Sequence, residues 1–190
     1  MRILIATPIP VTAVGGPASI ARLLTDELEK VGDTVRIESF TTLEKNTPPP
    51  FRQILLFFRA VFLCLASDAV ILLDPASTGP SFAVAAKLTG RRSVLRIGGD
   101  ALWESYVERT KEAIRLSEFY TTKRNFSLHE KLLHIATTMT VRFADSVLFT
   151  VPWLKEIWMG PYSLHYKDLH IVPNPMLPQE PAVSTSSKVF

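Results

Sequence analysis

Short apolar runs alternate along this chain with stretches of helical periodicity, and that alternation restricts the fold more than any other feature. The runs Arg2–Thr7, Thr34–Phe40, Ala69–Leu73, Ser93–Ile97, Ser146–Thr150 and Leu169–Val172 are rich in Val, Ile and Leu and read as strands. Between the first two, Ile20, Leu23, Leu24, Leu28 and Val31 keep the i, i+3, i+4 spacing of an amphipathic helix. Pro17 suits its first turn and Gly32 its stop. Further helices are expected over Phe51–Ala66, Ser81–Leu88 and Pro152–Met159, and from a Ser127/Glu130 capping box to about Ala144. Asn46–Pro50 reads as a breaker, and residues 101–126 as a long loop with at most one helix.

Strands that are continuously apolar and separated by helices are buried on both faces, which is the signature of a parallel sheet. Right-handed crossovers then give an α/β, doubly wound, mainly parallel sheet with helices on both faces. Ligands of such sheets bind at the carboxyl ends of the strands. Functional residues are therefore expected just after Thr7, Leu73, Ile97 and Thr150.

Composition removes several function classes. With 190 residues, 47% hydrophobic and 21% charged, the chain is long and apolar enough for a core and is not a disordered segment. A single cysteine, Cys64, excludes an internally disulfide-stapled scaffold and fits a reducing, cytoplasmic setting. The net charge of +3 is uneven, with ten basic and six acidic residues over 91–142. Because the two signs interleave, no nucleic-acid partner is expected, whereas a phosphorylated small molecule or an anionic membrane surface is compatible. The start of the chain lacks the pattern of a signal peptide. The segment Ile54–Ala66 has 12 apolar residues in 13, Arg59 being the exception, and is shorter than the ~20 a spanning helix needs. Two readings of that helix stand side by side: burial against the sheet, or a lipid-facing surface with Arg52 and Arg59 near headgroup phosphates.

Three loops carry candidate chemistry. Gly15-Gly16 precede the first helix, where glycines let backbone N–H groups and the helix dipole approach a phosphate; the alternative is a turn glycine with a helix cap. Gly98-Gly99-Asp100, with Trp103 and Glu104 behind, stand at a strand end. There the carboxylates can accept from hydroxyls and the indole can stack on a sugar, or Asp100 can simply cap a helix. Ser77 and Thr78 offer hydroxyls to a ligand or to the next helix start. Glu38 lies where an acid could hold a ribose, which keeps an NAD(P)-dependent oxidoreductase as an alternative, although GxGxxG is absent. His129 and His134 are five apart and no Cys or Asp cluster joins them, so no metal is expected.

In order along the chain, Gly15-Gly16-Pro17-Ala18, Arg96-Ile97-Gly98-Gly99-Asp100-Ala101-Leu102-Trp103-Glu104, Phe119-Tyr120, Ser127-Leu128, Val141–Val147, Trp153-Leu154-Lys155 and His170–Pro175 form a pattern. It resembles the N-terminal half of a two-domain Rossmann-like (GT-B) glycosyltransferase of family 4, group 1 type. The resemblance implies a cytoplasmic retaining transferase, peripheral at the inner face of the membrane. It would move a sugar from a UDP- or GDP-sugar to a glycan or lipid-linked acceptor, with no tightly bound cofactor. By position, Gly15 and Gly16 would face the donor phosphates, and Asp100 would sit as the catalytic-side group near the reacting sugar, where many relatives place a histidine. Gly99, Trp103, Glu104, Ser77, Thr78 and Thr150 would line the acceptor side. Residues 1–175 are then the acceptor-side domain. Residues 176–190 are the Pro/Ser/Thr-rich linker and the first strand of a missing C-terminal donor-binding domain, without which the chain is expected to be inactive. A non-catalytic binding domain is the third class.

Overall fold

The computed structural model describes residues 1–175; the expected linker and strand over 176–190 lie outside them. Strands β1 (Arg2–Ala6), β2 (Thr34–Glu38), β3 (Ala69–Leu72), β4 (Arg92–Ile97), β5 (Ser146–Phe149) and β6 (Asp168–Ile171) pair in parallel in the order β2-β1-β3-β4-β5-β6. In register, Ile5 stands between Ile37 and Ile71, and Leu95 between Leu72 and Val147. From β1 the chain steps one way to β2, then doubles back past β1 to β3 and continues outward. That reversal opens a crevice at the carboxyl ends of β1 and β3.

Alternate residues of a strand face opposite sides of a sheet. Leu4 and Ala6 enter the larger core with α3 (Pro49–Leu65), α4 (Gly79–Leu88), α7 (Leu128–Phe143) and α8 (Pro152–Met159). Ile3 and Ile5 enter a smaller core against α1 (Gly16–Lys30). Helices cover both faces of this doubly wound sheet, unequally. The middle helix, α4, turns Ala83, Ala85 and Ala86 inward, and these small residues let α3 and α7 close on either side.

Three segments differ from the sequence expectation. Residues 101–126 hold α5 (Ala101–Thr110) and α6 (Leu116–Phe119). Their inward residues Leu102, Tyr106 and Phe119 form a third cluster with Phe126 instead of docking on the sheet, so only a short apolar period marks them. The one-turn helix α2 (Thr42–Lys45) is set by a Thr41/Glu44 capping box. α3 begins inside the expected breaker, since proline is tolerated in a first turn. The two arginines of α3 are not turned to solvent together. Arg59 is held by Glu44 (2.8 and 2.9 Å) and Glu38, and Arg52 donates to the Lys45 and Thr47 carbonyls above the Phe40 ring. Both tie α3 to the α2 segment, which corrects the expectation that Arg59 meets headgroup phosphates.

Candidate functional site

The crevice, about 340 Å³, is walled by the loops after β1, β3 and β4. After β1, the loop is drawn onto α1 by Arg22, which donates to the Val11 carbonyl. A Cβ on Gly15 would stand 2.8 Å from Ile9 Cδ1 and displace that side-chain end, while a Cβ on Gly16 would meet nothing. The first turn of α1 has no acidic residue and no side-chain cap. Pro17 carries no N–H and the Ser19 N–H bonds the Gly15 carbonyl (3.0 Å), so of the residues lining the crevice Gly16 is the one whose N–H at the helix start has no side-chain partner, a position suited to an anion.

After β3, Asp74 organises its own turn. Its Oδ2 accepts from the backbone of Ser77 (2.7 Å) and Thr78 (2.7 Å) and from Ser77 Oγ (2.6 Å). Ser77 is thereby spent on Asp74, and Thr78 is wholly buried; neither lines the crevice. Neither hydroxyl caps α4 either, whose start at Thr78 has no side-chain cap; both serve the Asp74 turn.

After β4, Gly98 and Gly99 keep the backbone open. A Cβ on Gly99 would lie 3.0 Å from Glu104 Oε1, so the glycine leaves room for that carboxylate at the crevice wall. Burial first, then the charge of Asp100, raise the Glu104 carboxyl above its ordinary value. Asp100 itself is 1% exposed. Its Oδ1 accepts from the Trp103 N–H (2.9 Å) as the N-cap of α5, and its Oδ2 from Tyr120 Oη (2.7 Å), which lies 3.1 Å from Tyr162 Oη. Burial pushes the Asp100 carboxyl up, with these hydrogen bonds opposing it; burial and the Asp100 charge also raise both tyrosines. The indole N–H of Trp158 is buried beside this network without a partner of its own. Asp100 is thus a positioning group that fixes α5, with both carboxylate oxygens engaged inside the fold.

Trp103 turns away from the crevice. Its indole N–H donates to the Ile114 carbonyl (3.0 Å) and its ring joins the α5–α6 cluster. Thr150 is buried with its N–H on the Ile97 carbonyl (3.3 Å). Of the expected site residues, the fold brings together Gly16, Gly99, Asp100 and Glu104, and not Gly15, Ser77, Thr78, Trp103 or Thr150.

Three crevice residues escaped the sequence reading: Asp74, Arg96 and Asn174. Arg96 donates to Asn174 Oδ1 and has no carboxylate partner among the described residues; burial lowers its pKa. The available signal was a cation near the end of an apolar strand, two residues before a pair of glycines. Glu38, the ribose candidate of the oxidoreductase alternative, is bonded instead to Arg36 (2.7 Å) and Arg59. A second, largely apolar depression of about 440 Å³ between α6 and α8 lies away from these strand ends. Among the described residues no three His, Cys, Asp or Glu gather as a metal set, and no helix is long and apolar enough to cross a membrane.

Compared with protein-family models and with curated proteins, the chain matches none. The class that the geometry defines is a doubly wound parallel α/β domain with a crevice at the reversal of its strand order.

Proposed function

We propose that the chain is the acceptor-binding half of a retaining glycosyltransferase. It acts with a C-terminal donor-binding domain to move a sugar from a UDP- or GDP-sugar to a glycan or lipid-linked acceptor, in the cytoplasm and at the inner face of the membrane. One observation carries this reading: an uncapped helix start at Gly16, the Arg96 guanidinium and the partly desolvated Glu104 carboxylate line a single crevice. Sugar transfer needs the leaving diphosphate met by dipoles and cations, and an acceptor hydroxyl held beside the anomeric carbon. Gly16 and Arg96 suit the first need. Glu104 and the open backbone at Gly99 suit the second, and Asp100 sets their position by capping α5. The remaining cations would come from the donor domain, so the chain alone is expected to release no nucleotide.

Calorimetric titration of the chain with UDP- and GDP-sugars and a panel of oligosaccharides tests this. Oligosaccharide binding is expected to weaken roughly tenfold in Glu104→Gln, and nucleotide-sugar binding by a similar factor in Arg96→Met, as for single charged hydrogen bonds. Binding of a nicotinamide dinucleotide with no sugar ligand at all refutes the class. Sustained nucleotide release by the chain alone refutes the two-domain mechanism.

A further inference from the structure

A helix packed on a sheet normally shows water its polar side. Three helices of this fold do the reverse together. α3 buries Leu56, Ala60, Leu63 and Cys64, yet its opposite side presents Phe51, Ile54, Leu55, Phe58, Phe62 and Leu65 to solvent. α7 is inverted further. Thr137, Thr140 and Glu130 face inward, and Leu128, Leu132, Ile135 and Met139 face outward. Its rotation is fixed, because Thr140 Oγ1 donates to the Pro75 carbonyl (2.7 Å) and Glu130 is locked to Arg109. Between them α4 presents Leu88, with half-buried Val84 a turn before it. All three helices cover the same face of the sheet and α4 packs against both neighbours, so the stripes lie side by side on one outer surface. Phe62 at 73% and Leu128 at 75% exposure stand fully proud of it. A contiguous apolar patch of this kind marks a contact surface.

Its charge selects the partner. The only acidic residue of α3, α4 and α7 is Glu130, which is buried and paired. Exposed Lys131 and Arg142 border the stripes and half-buried Arg52 flanks α3, while Lys87 is paired with Asp145 (3.5 Å). A second copy of the same face would bring Lys131 and Arg142 to cations, because Asp145 is already paired with Lys87 and Glu130 with Arg109, whereas anionic headgroups supply the missing charge. We infer that this three-helix surface docks on an anionic lipid bilayer, its apolar stripes at the acyl boundary and its bordering cations at the phosphates. The inference deepens the proposed placement at a membrane and uses no residue of the crevice. It also sets the crevice beside the bilayer: the cleft-side end of α3 is joined to the loop after β3 by Gln53 Nε2, which donates to the Ser77 carbonyl (2.9 Å).

Co-sedimentation of the chain with vesicles of phosphatidylcholine alone, or mixed equally with phosphatidylglycerol, tests it without any sugar substrate. Recovery on the anionic vesicles is expected to exceed that on neutral ones by about tenfold. The pairs Phe58→Glu/Phe62→Glu and Leu132→Glu/Ile135→Glu are each expected to lower it by about tenfold or more. Their circular dichroism should match the parent, since all four side chains are in solvent. Lys131→Glu/Arg142→Glu should lower recovery on the anionic vesicles alone. No recovery on either vesicle overturns the inference. So does binding that survives both apolar pairs, or a concentration-dependent dimer in light scattering that those pairs dissolve. Because no substrate is present, failure here leaves the calorimetric test of the transferase reading intact, and the reverse holds too.

Discussion

Replacing Asp100 by alanine separates a side chain that holds the fold from one that waits for a sugar. In the structure its two oxygens serve the Trp103 N–H at 2.9 Å and the Tyr120 hydroxyl at 2.7 Å, and the residue is 1% exposed. Loss of the N-cap acceptor costs about 1 kcal/mol. A buried tyrosine hydroxyl left with only Tyr162 costs about 1–3 kcal/mol more, part of which is offset by no longer burying a carboxylate. The sum is about 3 kcal/mol, or a fall of roughly 6–12 °C in Tm for a domain of this size. Asp100→Asn keeps an oxygen for Trp103 and should cost about 1 kcal/mol at neutral pH. Burial raises the native carboxyl of Asp100, so the native state holds its proton more tightly than the unfolded chain does. That contribution is complete below the unfolded value of about 3.9 and disappears as pH rises through the higher native value. The Asn variant should therefore lose more, relative to the parent, near pH 4 than near pH 7. Urea unfolding followed by circular dichroism at both pH values measures this. An Ala variant within about 0.5 kcal/mol of the parent refutes the positioning role. So does an Asn penalty that is larger at neutral pH.

Two further outcomes follow from the helices around the crevice. Gly79→Ala sets a Cβ 2.2 Å from the Asp74 carbonyl and 2.8 Å from Thr140 Cγ2, so calorimetry should show a loss of about 3 kcal/mol or more; a parent-like Tm contradicts the packing of α4. Glu130→Gln keeps an oxygen for the Ser127 N–H of the α7 capping box but removes the charge from the paired contact with Arg109 (2.7 and 2.9 Å), at a cost of about 1–2 kcal/mol at neutral pH. The Arg109 hydrogen bonds hold the Glu130 carboxyl below its ordinary value, so this stability is present above about pH 4.3 and is lost as pH falls through the lower native value. Acid titration should show the variant and parent converging at low pH, and a gap that widens there would contradict it.

Much of the architecture was legible because it follows from local rules. Continuous Val, Ile and Leu runs place the six strands within a residue or two, and the Ser127/Glu130 box marks the start of α7 to the residue. The α5–α6 segment was not legible, because its short apolar period closes on Phe119 and Phe126 and not on the sheet. At the site, the strand-end rule located the crevice and four of its residues, Gly16, Gly99, Asp100 and Glu104. It could not say which way a side chain turns. Trp103 and Asp100 stand three residues apart in one motif, yet one packs into a remote cluster and the other caps its own helix.

The same division holds for α3. Its sequence alone established an apolar helix too short to span a bilayer. Whether the apolar side chains were core or surface depended on how many neighbours the sheet could offer. A helix of 17 residues that rests on a sheet can bury only one stripe, and in this fold that stripe is Leu56, Ala60, Leu63 and Cys64. Phe51, Phe58 and Phe62 are therefore left outside by geometry, not by polarity. Periodicity and turn chemistry act between near neighbours in the chain and are written in the sequence. Which face is covered, and which loops meet at a crevice, depends on contacts between distant segments that only the assembled sheet brings together.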